Sequence, residues 1–263
     1  MNWKQTLFWS FSAAAIFYYF LLFGVFVFVG QEEMQLFIPE WWYIREFLFQ
    51  PGGFCAVAGQ WIIQYYRQPM SAVVFHTVLL VGCGFMVYRI LRCFSDKTYL
   101  LFLSLLPVLY LVKMSIHGEY LVDGTVGVVL MLLALSVSLK VRRAGSIAGY
   151  GIASTLFLCG LTGLLSVCYA FLYTLLALLR YKTSRQRLAA SACLIPALFI
   201  YLFSGWLGIP VPLSDGWMPE AYLEIQRLPH YYMYRVWTFF TLSIVGVALF
   251  ARFVPVIGEK SKW

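Results

Sequence analysis

One stretch of the sequence, Lys113 to Asp123, carries two pairs of ionisable side chains at helical spacing. Lys113 and His117 are four residues apart, as are Glu119 and Asp123, so each pair would share one face of a helix. The apolar runs on either side are short, which places these charges at or below a membrane surface. Ionisable groups at that depth are costly and often functional. A salt-bridged helix connection explains the pattern equally well, and both interpretations stay open.

A second group of polar and aromatic residues lies between Asp215 and Arg235. Charged side chains alternate there with Trp and Tyr, and the substrate-binding candidates are Arg227, His230 and Arg235. Such a stretch can line a polar groove for a sugar or a lipid head group. An interfacial belt of aromatic residues is the commoner explanation of the same pattern.

The histidines do not specify a metal site. His117 and His230 could join Glu119 and Asp123 as ligands, but neither H-x-x-x-H nor H-E-x-x-H occurs, so we predict no metal. The sequence has no P-loop, and we expect no cofactor. His76 lies inside an apolar run, where a lone histidine is more often an interhelical hydrogen-bonding residue than a proton relay.

Membrane helices must position these side chains. The chain is 62% hydrophobic and 11% charged, whereas a soluble domain has about 25% charged residues. A helix needs roughly 20 apolar residues to cross the hydrocarbon core. The sequence therefore predicts a single all-α membrane domain over residues 1–263, a polytopic helix bundle of about eight spans at 6–29, 70–88, 99–112, 124–139, 145–159, 163–179, 188–207 and 236–251.

The region 145–179 is predicted to hold two spans. A single helix over it would be about 52 Å long, far more than a bilayer requires. Basic residues flank it on both sides, at Lys140 to Arg143 and at Arg180 to Arg187, so both flanks belong on the cytoplasmic side. The chain must turn back between them, and Gly160 to Gly163 is the natural place.

Charge distinguishes the two sides of this bundle. Most of the 19 Lys and Arg residues fall in segments on one side, which the positive-inside rule assigns to the cytoplasm, together with both termini. This predicts a multi-pass membrane protein with both termini in the cytoplasm and the lipid bilayer as its partner. The basic residues form short runs between apolar segments and no continuous soluble face, so we expect no nucleic-acid partner despite the net charge of +8.

Two outer loops, 30–69 and 208–235, are long, whereas the inner loops are short. Function usually resides where a chain spends residues on structure that does not span. In the first outer loop, Pro39 to Phe49 and Phe54 to Tyr66 read as two interfacial helices on the outer membrane surface. At the start of the fifth span, Gly145 and Gly149 form a small-x-x-x-small pattern that we expect to pack within the chain.

The segments Gln31 to Phe37, Gln50 to Phe54 and Gln60 to Pro69, with the turn Gly160 to Gly163, carry a family resemblance over most of the chain. The sequence resembles an uncharacterised family of bacterial polytopic inner-membrane proteins, a domain of unknown function. Members of that family can continue into a soluble helical region, so this chain would be a short or truncated member.

The layout is also similar to the multi-span glycosyltransferases that use polyprenyl-phosphate-linked sugars. Those enzymes have a long first external loop with acidic residues just after the first helix. The resemblance implies catalytic roles for Glu32 and Glu33, with Glu119 or Asp123 as a second acid. It also implies that cations hold a lipid phosphate, and the available cations are Lys113, Arg67, Arg227 and Arg235.

Three functions follow from these patterns. The first is a glycosyltransferase-like envelope enzyme that acts on a lipid-linked substrate at the outer face. The second is a non-catalytic membrane scaffold or assembly partner, which would depend on Trp41, Trp42 and Gly149 and tolerate loss of the acids. The third, a transporter, needs polar or broken helices at mid-membrane, where His76 is the only ionisable residue.

Overall fold

The computed structural model describes residues 3–34, 37–117, 120, 122–203 and 228–253, and all regular structure in them is helical. A single 3₁₀ turn, Gln64–Arg67, lies between the fourth and fifth α-helices. The α-helices are α1 (Trp3–Phe23), α2 (Val25–Met34), α3 (Trp41–Leu48), α4 (Gly53–Ile63), α5 (Pro69–Leu91), α6 (Leu100–Leu103), α7 (Leu105–Met114), α8 (Val122–Ser138), α9 (Ala144–Thr162), α10 (Leu165–Arg180), α11 (Ser184–Ser191), α12 (Leu194–Leu202) and α13 (Leu228–Phe253).

Three of these helices, α1, α5 and α9, are long and apolar enough to cross a membrane. Shorter apolar helices cover Leu100–Met114, Val122–Ser138, Leu165–Arg180 and Thr238–Arg252. Large apolar side chains point away from the bundle, for example Phe11, which is 76% exposed, and Phe26, which is 89% exposed. Such surface is unfavourable in water and neutral in lipid. An all-helical bundle of this kind is compatible with a membrane protein.

The first apolar run is divided at Gly24 into α1 and α2. Backbone hydrogen bonds from Gly24 N–H to the Phe20 carbonyl (2.8 Å) and from Phe28 N–H to the Gly24 carbonyl (3.0 Å) continue through the division. A Cβ on Gly24 would lie 2.8 Å from the Phe28 ring. The glycine therefore lets the Phe28 side chain fold down against its own helix and reach the bundle interior.

The structure distinguishes the two helices predicted within residues 30–69. No residue of α3 is buried, in agreement with a surface position. By contrast, α4 packs against α8 and α9 and buries Cys55, Gly59, Ile62 and Ile63. Of the two interfacial helices expected from the sequence, the first is exposed, whereas the second belongs to the bundle.

The chain reverses between α9 and α10, which pack against each other. Gly163 at the reversal has φ of +62°, and Gly52 has φ of +85°, both in the left-handed region that favours glycine. The Gly52 N–H donates a hydrogen bond to the Gly160 carbonyl at 3.1 Å. The turn before α4 and the turn after α9 therefore form one contact at one end of the bundle.

The opposite end of the bundle gathers the basic connections, and we refer to it as the basic end. There the Arg180 guanidinium donates to the Cys93 carbonyl (3.0 Å) and the Gln186 amide donates to the Arg142 carbonyl (2.7 Å). The start of α1 reaches the same end, because the Gln5 amide donates to the Tyr88 hydroxyl at 2.8 Å. Tyr99 and Phe250 pack ring to ring nearby, which brings the end of α13 to this side.

Gly145 and Gly149, which were expected to pack within the chain, do not pack against any part of it that the structure describes. Both are exposed, and a Cβ at either position would meet no atom within 4 Å among the described residues. The contact that brings α9 close to its neighbours uses Gly151 instead, where a Cβ would lie 3.2 Å from Cys193 and Tyr173. The small-x-x-x-small face of α9 points outward.

Candidate functional site

A buried glutamine connects the end of α2 to the segment before α8. The Gln31 side chain is fully buried, and its Nε2 donates to the Tyr120 carbonyl at 2.8 Å. Tyr120 is itself buried, and its hydroxyl lies 3.1 Å from the Thr125 hydroxyl. Gln31 directly precedes Glu32, and Tyr120 precedes Asp123 by three residues. These bonds therefore join the two acidic segments at the end of the bundle opposite the basic end.

Asp123 lies in the first turn of α8, just before the apolar run 124–139, and is partly buried. Its backbone is closely covered by Gly59 of α4, where a Cβ would lie 2.9 Å from the Asp123 Cα. Its Oδ1 accepts a hydrogen bond from the Gly124 N–H at 2.6 Å. We refer to Gln31, Tyr120, Asp123 and Thr125 together as the Asp123 cluster.

Burial raises the pKa of the Asp123 carboxyl to about 6, while the Gly124 N–H acts in the opposite direction. An ordinary aspartate is a weak base at neutral pH. A carboxylate with a pKa close to the working pH is both ionised and able to hold a proton, as a general base must be. The position and the pKa of Asp123 therefore suit proton transfer at the rim of the bundle.

His76, on α5, is buried among the aromatic rings of Phe20, Phe28 and Tyr66. Its ring stacks on Phe28 with centroids 4.4 Å apart and lies 5.4 Å from the Phe20 ring. The Tyr66 hydroxyl is hydrogen-bonded to His76 Nε2 at 2.7 Å, and Nδ1 has no partner among the described residues. The expectation of an interhelical hydrogen bond is confirmed, and the partner is the 3₁₀ turn after α4.

Replacing Tyr66 by phenylalanine should destabilise the protein by about 1–3 kcal/mol, because it leaves Nε2 of the fully buried His76 imidazole without its hydrogen-bond partner. Thermal unfolding in detergent, followed by circular dichroism, measures this change. The matched control is Tyr65→Phe at the exposed neighbouring position, which should change stability by less than about 0.5 kcal/mol. Equal effects of the two substitutions would show that the Tyr66–His76 bond does not stabilise the fold.

The residues proposed from the sequence are distributed as follows. Glu32 is partly buried on α2, whereas Arg67, Lys113 and His117 are exposed. Glu119 and Arg227 lie outside the described residues. The side chains of Glu33, His230 and Arg235 also lie outside the description, although their backbones belong to α2 and α13. Among the described side chains, no three His, Cys, Asp or Glu residues are grouped as metal ligands would be.

The whole chain, residues 1–263, matches a family of unknown function, DUF6057. The chain belongs to this family. The membership of an uncharacterised family that the sequence predicted is thus confirmed. No curated protein and no solved structure matches the chain.

Sequence reasoning about this DUF6057 chain missed the role of Gln31. The residue stands beside the predicted acid Glu32, but its partner Tyr120 is 89 residues away in the chain. The sequence signal that was available is a polar residue at the end of an apolar run, one helical turn beyond Phe28. Such a position is typical of a side chain that ends a span by bonding to a neighbouring loop.

Proposed function

We propose that this chain is a multi-pass protein of the bacterial inner membrane with eight spans and both termini in the cytoplasm. Four segments with basic residues meet at the basic end, through the contacts of Gln5, Arg142, Arg180 and Phe250. The Asp123 cluster and the Gly52–Gly160 contact lie at the other end. A helix bundle in which most of the described basic connections gather at one end is what the positive-inside rule requires of a protein with this orientation.

We further propose that the protein acts at the outer face on a lipid-linked substrate, as a glycosyltransferase-like enzyme with Asp123 as the general base. The observation that carries this proposal is the partly buried Asp123, whose backbone packs against α4 at the end of the bundle that we assign to the outer face. A partly buried carboxylate that accepts protons readily lies here close to the membrane surface. This position suits a substrate whose lipid stays in the bilayer while its head group reaches the end of the bundle.

The proposed reaction transfers a sugar from a polyprenyl phosphate to an acceptor hydroxyl. The hydroxyl oxygen attacks the anomeric carbon, and its proton passes to the Asp123 carboxylate. The bond between that carbon and the phosphate oxygen breaks, and polyprenyl phosphate leaves with the electron pair. A cation would stabilise the leaving phosphate, and Arg67, exposed at the end of the turn after α4, is available on the same side.

A scaffold function is the second candidate, and the exposed aromatic helix α3 favours it. Trp41, Trp42 and Phe49 are all exposed at this helix, although aromatic residues of this kind also anchor helices at a membrane interface. A scaffold would keep its function when the acids are neutralised and lose it when these aromatic side chains are removed.

Reconstitution tests the proposed reaction. Wild-type protein in phospholipid vesicles is mixed with a polyprenyl-phosphate-linked hexose, labelled in the sugar, and with a lipid extract of the host envelope as acceptor. The proposal expects label in the acceptor fraction and accumulation of polyprenyl phosphate, compared with vesicles that contain heat-unfolded protein. Absence of transfer across hexose and pentose donors, from protein with a wild-type melting profile, would overturn the enzymatic function.

A further inference from the structure

An open groove runs along the bundle between α1 and α7, which both pack against α5. It encloses about 350 Å³, and five of its lining residues have apolar or aromatic side chains. The sixth is Lys113, near the end of α7 and exposed. The lining residues are Ala15, Ile16, Tyr19, Leu109, Val112 and Lys113.

Lys113 lies below the outer end of the first helix. α1 runs in the same direction as the consecutive helices α6 and α7, because the Phe8 ring contacts that of Phe102 on α6 (centroids 5.1 Å apart) and Tyr19 shares the groove with Lys113 on α7. The apolar run continues to Gly30, about 16 Å of helix beyond Tyr19. The segment Leu100–Met114 would reach only about 22 Å, against a hydrocarbon core of about 30 Å. The backbone of Lys113 therefore lies within the outer leaflet, below the membrane surface.

A cation in that position requires a counter-charge or a route to water. Arg92 and Asp96 form the only ion pair among the side chains that the structure describes, and it lies at the basic end. Lys113 is also one of the few basic residues away from that end, so it is not part of the charge bias that orients the chain. Extension of the flexible Lys113 side chain towards the outer surface would bring its ammonium group to the level of the phospholipid phosphates.

We propose that this groove binds one anionic phospholipid of the surrounding bilayer, with an acyl chain along the apolar wall and the phosphate at the Lys113 ammonium. The groove is open towards the lipid, and its volume suits a single hydrocarbon chain. A bilayer supplies its own phospholipid at far higher concentration than any other phosphate, and an ammonium recognises phosphate as a point charge. This inference rests on the membrane location proposed above and does not depend on the transfer reaction.

Native mass spectrometry of the detergent-purified protein tests the site. The probes are phosphatidylglycerol and phosphatidylcholine with identical acyl chains, added separately and then in competition. The wild type should retain phosphatidylglycerol about tenfold better than phosphatidylcholine, and Lys113→Gln should abolish that preference. Lys140→Gln, which removes an exposed cation at the basic end, is the matched control and should leave it unchanged.

A second variant tests the apolar wall without touching the charge. Leu109→Trp fills the groove and should lower retention of phosphatidylglycerol about tenfold, whereas Leu133→Trp, at an exposed position of α8, should not. Wild-type retention by either Lys113→Gln or Leu109→Trp would overturn the proposal. So would displacement of the lipid by polyprenyl phosphate at equal concentration, which would make the groove a substrate site. A wild-type protein that transfers sugar but does not retain phosphatidylglycerol selectively would reject this inference alone. A wild-type protein that retains the lipid but transfers no sugar would reject only the proposed reaction.

Discussion

We expect Asp123→Asn to lower the proposed sugar transfer by about 100-fold or more while the protein still inserts and folds. The amide has nearly the shape of the carboxyl group but cannot accept the proton of the acceptor hydroxyl, and general-base catalysis contributes factors of this size. The measurement is the initial rate of transfer in reconstituted vesicles. Asp96→Asn is the control, because Asp96 is exposed at the basic end and its ion-pair partner among the described residues is Arg92. The Asp96→Asn variant should transfer sugar at the wild-type rate.

The same reaction should depend on pH in a defined direction. The carboxyl is active when ionised, so the rate should rise with pH, with a midpoint near 6, and then level off. An ordinary aspartate would give a flat profile above pH 5. An Asp123→Asn variant that keeps more than about a tenth of the wild-type rate would contradict the assignment of the base. A wild-type rate independent of pH from 5 to 8 would do the same.

Gly59→Ala destabilises the protein by about 3 kcal/mol, near the upper end of the cost of overpacking. The added Cβ would lie 2.7 Å from the Asp123 Cβ, 2.9 Å from its Cα and 3.0 Å from its nitrogen. These atoms belong to the first turn of α8 and cannot rotate away, so the two helices must separate. Thermal unfolding in detergent measures the loss, and transfer activity should fall with it because Asp123 is displaced.

Gly82→Ala on α5 is the matched control for this prediction. A Cβ at position 82 meets no described atom within 4 Å, so this variant gains helix propensity without a clash and should be at least as stable as the wild type. If Gly59→Ala unfolds at the same temperature as Gly82→Ala, then α4 does not pack on α8 at the distance described. The position of Asp123 against α4 would then be wrong.

Hydropathy and charge predicted the helices, because lipid as a solvent demands long apolar runs and short basic connections. The reversal after Thr162 followed from basic residues on both flanks, and the structure places Gly163 there with a positive φ. The position of α4 could not be predicted in this way. Its aromatic and apolar residues suit an interface and a bundle interior equally, and only the partner backbone at Asp123 shows why Gly59 must be a glycine.

The residues of the candidate site were likewise predictable only where a local sequence pattern marks them. Asp123 was identified from its type and its spacing to Glu119, because a carboxylate at a helix start beside short spans is conspicuous in a sequence. Gln31 and Tyr66 were not identified, because their roles depend on partners that no local pattern specifies. The outward direction of Gly149 was also unpredictable, since small residues permit close packing without determining which helix supplies it.

Cysteine labelling in intact cells tests most directly whether the basic end lies in the cytoplasm and the opposite end outside. The six native cysteines are first replaced by serine or alanine, and single cysteines are introduced as Arg142→Cys, Arg185→Cys and Trp41→Cys, all at exposed positions. A membrane-impermeant maleimide should label only the Trp41→Cys protein in intact cells and all three after the membrane is permeabilised. Labelling of Arg142→Cys or Arg185→Cys from the outside of intact cells would contradict the orientation on which the proposed site depends.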